Sequence, residues 1–484
     1  MMNLSDQIKI NAIIDNQEIP AKEYTEIRDP GKRSDIVGFV ALGNKEDVDL
    51  AVQAAHRAFF SWRTVRVEER IERLLEAGEL LKQSVTDLTY LMAREHGGLM
   101  REVKMDFMAG YSNFINYAQV VPAFLKPEQK EDVESWISIE KNPKGVVAAI
   151  VPWNMPVVLT MMKLVPALMT GNAIVVKPSP NAPLALTLLL KRMAAILPPG
   201  LINVVHGGDD VGKALTSHPL VRKVAFTGGC ATGKEVNIRS AQSLKAVTLE
   251  LGGNDPAIIL EDANLEDMMP KILRAVFTRS GQVCYAIKRI YVQDTLFDAF
   301  IDDFCARVNQ YIVGYGLDER SNIGPVNNER QYTFVQSLIE QARQSGAEVR
   351  ELGIKLDPKN WENGYYILPH VVIDKEHCTD LVQCEQFGPV IPIIPFTTVD
   401  QAIALANDSD YGLAASIWST DSEKAKTIAR EMEAGLTFIN THGLGSTVFG
   451  MPFGGIKNSG IGREGSPLLT LSAYTDTHAL RLLK

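Results

Sequence analysis

Between residues 146 and 250, apolar segments of strand length alternate with apolar segments of helix length, and this alternation constrains the fold more than any other feature of the sequence. The predicted strands lie at residues 146–151, 173–177, 202–205, 223–227 and 246–250. The helices predicted between them lie at residues 157–169 and 183–196 and begin near residues 210 and 232. Repeated βα units with apolar strands predict a parallel sheet that helices cover on both faces.

Glycines and polar side chains follow each of these predicted strands. The residues at the strand ends are Trp153, Asn154, Lys177, His206, Gly207, Gly208, Gly228, Gly229, Glu250, Leu251, Gly252 and Gly253. Because ligands bind beyond the carboxyl ends of the strands in an open parallel sheet, we expect a binding crevice at this edge.

A second α/β block is predicted from about residue 255 to residue 455. Its strands are expected at residues 256–260, 289–293, 390–396, 414–418 and 436–439. Its helices are expected at residues 264–279, 295–312, 328–345, 399–407 and 422–433.

The two ends of the chain add smaller elements. Residues 8–19 predict a β-hairpin with its turn at Asp15 and Asn16, and helical spacing of apolar residues follows at 45–60 and 67–95. Residues 472–484 predict a strand, which would form an oligomerisation ribbon with residues 134–141.

The composition argues against several classes of protein. A net charge of −9 without a long basic run argues against nucleic acid and acidic membrane surfaces as partners. No apolar run is long enough to span a membrane and no apolar leader follows Met1, so we expect a cytoplasmic protein. The 5 cysteines form no CxxC pair, which argues against a disulfide framework or a zinc site. His370 and His377 lie near Cys378 and Cys384, but their spacing matches no familiar metal signature, and we expect no metal.

Two glycine patterns resemble phosphate-binding motifs and both fail. Residues 460–465 match G-x-G-x-x-G, but no predicted strand precedes them and too little chain follows for a βαβ unit. Residues 228–234 match the first positions of a P-loop, but Glu235 stands where a magnesium-binding Ser or Thr is required. What remains is a glycine turn that opens a helix, whose free N–H groups can face a phosphate.

Cys284, just after the glycine turn Ser280–Gly281, is a candidate nucleophile on a loop. Most free cysteines are small buried hydrophobic residues, so its position alone does not decide the matter. A nucleophile needs a hydrogen-bond donor for the developing oxyanion, which Asn154 can supply, and a general base, for which Glu250 is the candidate. Taken singly, Asn154 is as readily a turn former and Glu250 a solvated strand end.

These three residues lie in a series of short stretches whose order and spacing are together characteristic of one protein family. The stretches are Pro152–Asn154, Lys177–Ser179, Phe226–Gly229, Glu250–Gly253, Gly281–Cys284, Glu385 with Phe387–Pro389, and Pro452–Gly455. With them, the chain resembles the aldehyde dehydrogenase superfamily across nearly its full length.

The resemblance implies an α/β fold in three parts. A doubly wound nucleotide-binding domain without the usual glycine fingerprint would comprise residues 1–124 and 144–252, and an α/β catalytic domain residues 253–457. Residues 125–143 and 458–484 would form a β-ribbon oligomerisation element that builds a homodimer or homotetramer.

The resemblance also implies the chemistry, the oxidation of a small aldehyde to a carboxylic acid with NAD or NADP. Cys284 would attack the aldehyde carbonyl, and the Asn154 side chain and the Cys284 N–H would hold the oxyanion. Hydride transfer to the nicotinamide would leave a thioester on Cys284, and Glu250 would activate the water that hydrolyses it.

The resemblance implies a cofactor set, and the apolar positions that flank its motifs suggest a substrate set. The cofactor set is Val151, Pro152, Trp153, Lys177, Ser179, Pro180, Gly208, Gly212, Phe226, Thr227, Gly228, Gly229, Gly233, Leu251, Glu385 and Phe387. The substrate set is Met155, Val158, Met162, Tyr285 and Phe449, which suggests an aliphatic or aromatic aldehyde. Arg289, although close to Cys284, is expected to begin a strand.

Two positions depart from the family pattern. Members that prefer NAD commonly carry Glu three residues after the lysine, where it accepts hydrogen bonds from the adenosine ribose, but this chain has Pro180. We therefore expect NADP to be used alongside NAD or instead of it. Gly229 stands where many members have Ser, and we expect only a minor change in the groove.

Three alternatives remain at this point. A CoA-acylating aldehyde dehydrogenase would release the thioester to CoA, but acylating members often lack the glutamate found here at position 250. A structural protein derived from the family would not require Cys284, Glu250 and Asn154 together. A Cys/His hydrolase would need a general-base histidine, which no sequence signature identifies.

Overall fold

The computed structural model describes residues 8–375, 377 and 379–484. Its first elements, in chain order, are β1 (Ile8–Ile10), β2 (Ala12–Ile14), β3 (Gln17–Ile19), β4 (Tyr24–Asp29), β5 (Lys32–Ala41), α1 (Lys45–Trp62), α2 (Val67–His96) and α3 (Met100–Leu125). Helices α1 and α2 confirm the two predicted N-terminal helices.

The predicted hairpin at residues 8–19 is wrong in its first part. Only β2 and β3 form the hairpin, and Asp15 and Asn16 turn it with φ of 54° and 61°. Positive φ at both central residues is what a two-residue turn between twisted strands requires, and Asp and Asn tolerate it. β1 instead pairs in parallel with β5, in a separate sheet with the order β1-β5-β4.

Helix α3 was not predicted, although its buried side chains recur at helical spacing. Val103, Phe107, Phe114, Tyr117 and Val121 are all at most 1% exposed and bury one face of the helix. α3 packs against α2 and the next helix of the chain. It therefore forms part of the core beside the first block.

The first α/β block has the predicted alternation. Its elements, after the ribbon strands β6 (Glu128–Glu131) and β7 (Ser135–Pro143), are β8 (Val146–Ile150), α4 (Pro156–Met169), β9 (Ala173–Lys177), α5 (Leu184–Ile196), β10 (Ile202–Val204), α6 (Asp209–Ser217), β11 (Val221–Thr227), α7 (Cys230–Ala241) and β12 (Ala246–Glu250). The parallel strands lie in the order β12-β11-β8-β9-β10. The strand order reverses between β8 and β11, which is the position where doubly wound folds bind their ligands.

The second block is also an α/β sheet. Its elements are β13 (Asp255–Ile259), α8 (Leu265–Phe277), β14 (Ile287–Gln293), α9 (Asp294–Val308), β15 (Ile312–Val313), α10 (Glu329–Gln344), β16 (Glu348–Glu351), β17 (Ile354–Lys355), β18 (His370–Ile373), β19 (Val390–Phe396), α11 (Val399–Asn407), β20 (Tyr411–Gly412), β21 (Ala414–Trp418), α12 (Ser422–Arg430) and β22 (Leu436–Ile439). The sheet order is β16-β18-β19-β14-β13-β21-β22, with β16 antiparallel. The predicted strands and helices of this block are confirmed, and the strands that were not predicted are β15, β16, β17, β18 and β20.

The C-terminal segment joins two sheets. Its elements are β23 (Ile456–Lys457), β24 (Gly460–Ile461), α13 (Pro467–Ala473) and β25 (Thr475–Leu483). β25 pairs antiparallel with β7 from Thr475 to Leu483, and β7 pairs with β6, so the predicted ribbon strands do pair. β24 pairs antiparallel with β12, so the first sheet has the full order β24-β12-β11-β8-β9-β10-β2-β3. The glycine pattern at residues 460–465 therefore lies beside Glu250 and begins no helix.

Membrane-spanning helices and clusters of metal-ligating side chains are both absent from the described residues. No helix within this part of the chain has the length and hydropathy needed to cross a bilayer. The same residues contain no group of three or more His, Cys, Asp and Glu side chains placed to hold a metal ion. Cys378, part of the sequence pattern around His377, lies outside the described residues.

Candidate active site

The crevice between β8 and β11 is open at two helix N-termini. Gly208 is the N-cap of α6 and Gly229 is the N-cap of α7. Apart from each glycine and its two chain neighbours, no atom of the described residues lies within 4 Å of the position that a Cβ would take there. Helix N-termini present free N–H groups and a partial positive charge, so this surface suits the phosphates of a dinucleotide.

Lys177, at the end of β9, lies beside the same opening. Burial lowers the pKa of its ammonium group to about 8, and the carboxylate of Asp209 at the start of α6 acts in the opposite direction. Pro180, three residues on, is exposed and has no side-chain acceptor, while the Ser179 hydroxyl accepts the N–H of Asn181 at 3.3 Å. The lysine is thus available to a ligand hydroxyl or phosphate.

Several residues of the sequence-predicted cofactor set form the walls of the crevice. The buried Val151 donates its N–H to the Lys177 carbonyl at 3.2 Å. A Cβ at Gly233 would lie 2.4 Å from Leu251, so α7 packs closely on the strand end there. A Cβ at Gly228 would lie 2.6 Å from the Phe226 ring, and one at Gly212 would lie 3.9 Å from the Lys177 side chain. The buried hydroxyl of Thr227 has no hydrogen-bond partner among the described residues.

The second block contributes Glu385 and Phe387 to the crevice. The half-buried Trp153, which follows Pro152, meets the Phe387 ring edge to face at 5.5 Å between centroids. The Glu385 carboxylate accepts the N–H of Gly253 at 3.1 Å. Residues from both blocks therefore converge at the predicted strand edge.

Cys284 lies on a loop with an unusual backbone. After α8 ends at Phe277, a short 3₁₀ turn contains Arg279, Ser280 and Gly281 with φ of 57°, 59° and 75°. Left-handed φ at a non-glycine residue costs about 1–3 kcal/mol and persists only when tertiary contacts hold it. Here the Arg279 N–H donates to Glu102 at 2.8 Å and the Ser280 hydroxyl donates to the Gly324 carbonyl at 2.9 Å.

Asn154 is tied directly to this loop. Its side-chain Nδ2 donates to the carbonyl oxygen of Gln282 at 2.9 Å, two residues before Cys284. Its own carbonyl accepts from the Arg279 guanidinium, and the side chain is only 4% exposed. The Asn154 amide therefore has a fixed position relative to the backbone that carries the thiol.

The Cys284 thiol is half-buried and its environment favours the protonated form. Burial raises the pKa of Cys284 to about 12, and the carboxylates of Glu385, Asp255 and Glu250 act in the same direction. The ammonium group of Lys288 lowers the pKa of the thiol and partly offsets these effects.

Glu250 ends β12 in a buried polar cluster. It is 3% exposed, and neither carboxylate oxygen has a hydrogen-bond partner among the described residues. Burial, with the neighbouring Glu464 second, raises the pKa of Glu250 well above its ordinary value. Glu464 is paired with Lys163 at 3.0 Å, and a Cβ at Gly454 would lie 2.6 Å from a Glu250 oxygen. Glu250 thus has the raised proton affinity of a general base.

The sequence-predicted substrate residues fall into two groups. Met162 and Tyr285 pack in one apolar cluster with Cys284, and the Tyr285 ring meets Phe453 at 5.1 Å. The others lie around α4 and the loop after β22, at Met155 (buried, before α4), Val158 (half-buried, in its first turn) and Phe449 (exposed, with its ring 5.2 Å from Tyr117).

Three residues at the site escaped the sequence analysis. Asp106 on α3 accepts the N–H groups of Val157 and Val158 and so caps α4, but α3 itself was not predicted. Arg279 lies just before the glycine turn and Lys288 lies four residues after Cys284, but neither was singled out, because their contacts are with main-chain carbonyls that only the folded chain brings near. Arg289 lies in strand β14, as expected, and its guanidinium donates to main-chain carbonyls, including that of Asn254.

Comparisons with known proteins agree on one family. The aldehyde dehydrogenase family model matches residues 18–480. The putative aldehyde dehydrogenase FUS7 of Gibberella fujikuroi is 34% identical over 93% of this chain and 94% of its own, and the betaine aldehyde dehydrogenase of Vibrio vulnificus is 36% identical over 89% and 88%. The crystal structure of betaine aldehyde dehydrogenase from Staphylococcus aureus in complex with NAD+ superposes with a TM-score of 0.93 at 31% identity, covering 99% of this chain and 95% of that one.

Proposed function

The chain belongs to the aldehyde dehydrogenase family, and we propose that Cys284, Asn154 and Glu250 carry out its reaction, the oxidation of an aldehyde to a carboxylic acid. It is an NAD(P)-dependent aldehyde dehydrogenase. The observation that carries the assignment of residues is the hydrogen bond from Asn154 Nδ2 to the Gln282 carbonyl, because it fixes an amide donor beside the nucleophile loop.

The first step is attack of the Cys284 thiolate on the aldehyde carbonyl carbon. The carbonyl oxygen gains the negative charge, and the Asn154 side-chain amide and the Cys284 main-chain N–H donate to it. A donor placed for an oxyanion is typically worth ~3 kcal/mol in the transition state. The product is a thiohemiacetal on Cys284.

The crevice between β8 and β11 fits the cofactor. The open N-caps at Gly208 and Gly229 suit the pyrophosphate, Lys177 the adenosine ribose, and Glu385 with Trp153 the nicotinamide half. An oxidised nicotinamide bound there would supply the hydride acceptor, and loss of the hydride from the thiohemiacetal carbon would leave a thioester on Cys284. Phe387, whose ring contacts Trp153, forms part of the wall on this side.

Glu250 completes the reaction by accepting a proton from the water that attacks the thioester. The thiolate of Cys284 leaves, the carboxylic acid is released, and the proton on Glu250 returns to solvent. The raised pKa of Glu250 suits this role, because a general base is most effective when its pKa lies near the working pH. Hydrolysis by Glu250, rather than transfer to CoA, is therefore the favoured fate of the thioester.

The cofactor choice and the substrate are further parts of the proposal. Pro180 offers no acceptor to the adenosine ribose and no repulsion to a 2′-phosphate, so NADP serves alongside NAD or replaces it. Met162 and Tyr285 beside the thiol favour an aliphatic or aromatic aldehyde. The division into a nucleotide-binding domain, a catalytic domain and a ribbon that joins subunits agrees with the sheets except at β24, which pairs with β12 of the first sheet. The ribbon itself consists of β6, β7 and β25, with β6 and β25 at its edges.

An aldehyde panel with NAD and NADP tests the proposal. Reduced nicotinamide should form with apolar aldehydes, and Cys284→Ser should abolish it while leaving the thermal unfolding of the protein unchanged. Formation of acyl-CoA when CoA is added, in place of free acid, would instead support the acylating reaction. Full activity of Cys284→Ser would remove this cysteine from the mechanism.

A further inference from the structure

Lys288 is a buried lysine that connects three parts of the candidate active site. Its Nζ donates to the main-chain carbonyl of Cys284 at 2.6 Å and to that of Val283 at 2.9 Å. The same atom lies 3.6 Å from a carboxylate oxygen of Glu385, and the Lys288 side chain is only 3% exposed. Two of the three ammonium donors are therefore used by carbonyls of the nucleophile loop, and the charge also forms an ion pair with Glu385.

The charges that face Cys284 show why this lysine matters. Glu250 ends β12, Asp255 begins β13 and Glu385 precedes β19, so acidic side chains from three segments act on the thiol and disfavour its ionisation. Among the charged groups that act on Cys284 in the described part of the chain, Lys288 on β14 supplies the positive charge. A thiolate in such a site is disfavoured unless a cation compensates for the carboxylates.

We propose that Lys288 is a positioning residue that holds the backbone of the nucleophile loop and supplies the buried positive charge that favours the Cys284 thiolate. The ion pair with Glu385 also connects this charge to the carboxylate that we assign to the nicotinamide half of the cofactor. This inference rests on the proposed function, in which Cys284 is the nucleophile.

If Lys288 were purely structural, its replacement would change the rate of thiol alkylation in the opposite direction. If Lys288 only held the loop, its loss would loosen the loop, expose the thiol to water and speed its reaction with an alkylating agent. If its charge favours the thiolate, its loss makes the thiolate rarer and slows the reaction. The sign of the change therefore separates the two roles.

The experiment measures the rate of alkylation of Cys284 by iodoacetamide as a function of pH in the full-length protein, with the modified peptide identified by mass. In Lys288→Met, we expect the rate profile to move to higher pH by about one unit, which is about a tenfold slower reaction at fixed pH. Lys288→Arg, which keeps the charge, should move it less. Lys245→Met is the matched control. Lys245 is also buried, but it immediately precedes β12, at the end of that strand away from Glu250, so its replacement should leave the profile unchanged.

An unchanged or faster rate in Lys288→Met would overturn the inference, as would equal shifts in the Met and Arg variants. Should the Met variant not fold, Lys288→Gln takes its place in the comparison with Lys288→Arg. If no uncharged variant folds, Lys288 is a structural residue and the inference is wrong. Cys284→Ser tests the proposed function separately, because its retention of dehydrogenase activity would refute the nucleophile and leave the alkylation result intact.

Discussion

The guanidinium group of Arg279 donates two hydrogen bonds to the main-chain carbonyl oxygen of Asn154, from Nη2 at 2.7 Å and from Nε at 3.0 Å. Asn154 in turn donates from its side chain to the Gln282 carbonyl at 2.9 Å. The segment with the proposed oxyanion donor and the loop with the proposed nucleophile are therefore joined in both directions. This arrangement explains how a loop with consecutive left-handed residues keeps a fixed geometry.

Removing the Arg279 contact should affect both stability and rate. Arg279→Gln leaves the carboxylate of Glu102, 4.0 Å from the guanidinium, without its buried cation, and we expect the free energy of unfolding to fall by about 3 kcal/mol. Because the main-chain carbonyl of Asn154 then loses its anchor, the side-chain amide is less well positioned, and kcat should fall between about tenfold and a hundredfold. Denaturant unfolding and steady-state kinetics measure the two effects, and Arg279→Lys should be intermediate. A stability loss with unchanged kcat would show that the contact does not position Asn154.

Asn154→Ala removes the side-chain donor to the oxyanion. We expect kcat to fall roughly a hundredfold, because a donor of this kind contributes ~3 kcal/mol to the transition state. Asn154→Asp, which keeps the shape but replaces the donor with an acceptor, should be no more active. Steady-state kinetics at saturating aldehyde check both variants. A kcat within about threefold of wild type in Asn154→Ala would remove Asn154 from this role.

The hydrolysis of the thioester should become faster as pH rises. Glu250 accepts a proton only when ionised, and burial together with Glu464 raises its pKa well above the ordinary value, so the protonated, inactive form persists toward neutral pH. Glu464→Gln removes the neighbouring negative charge and should move the profile to lower pH. Single-turnover measurements of acid release, from pH about 6 to about 9, follow this step. A flat wild-type profile, or a shift to higher pH in Glu464→Gln, would count against Glu250 as the base.

Pro180→Glu should change the preference between the two cofactors. The new carboxylate can accept hydrogen bonds from the ribose of NAD and repels the 2′-phosphate of NADP, so kcat/KM for NADP relative to NAD should fall about tenfold or more. Pro180 is exposed, so the substitution should not affect folding. Pro180→Gln provides the uncharged control and should change the ratio less. A wild-type enzyme that favours NAD more than about a hundredfold would refute the assigned effect of Pro180.

The sequence predicts the parallel blocks well because their strands are short apolar runs with clear breaks. The limits of β9 at Ala173–Lys177 and of β12 at Ala246–Glu250 match the predicted residues, since a charged side chain ends each run. Helix α3 was overlooked because it carries no recognised motif, and its Gly110 and Pro122 interrupt the pattern. The predicted hairpin wrongly included residues 8–10, because this segment has the alternation of a strand but pairs with β5 and not with β2 or β3.

The reactive groups of the candidate site could be predicted from the sequence, whereas the contacts that support them could not. Cys284, Asn154 and Glu250 stand in recognisable stretches, whereas Arg279 reaches a carbonyl 125 residues away in the chain. Its left-handed backbone is stabilised by that contact and by Glu102, so no local pattern could indicate it. Lys288 is similar, because its partners are main-chain oxygens that face it only after the loop has folded.

The central claim, an acyl group carried on Cys284, is tested most directly by trapping it. Glu250→Gln should complete acylation but hydrolyse slowly, giving a burst of NAD(P)H of about one per active site with aldehyde and cofactor. Acid quenching, digestion and mass spectrometry should then find the acyl mass on the peptide that contains Cys284 and leave Cys230 unmodified. No burst, with an unchanged steady-state rate and no acyl group on Cys284, would contradict the account.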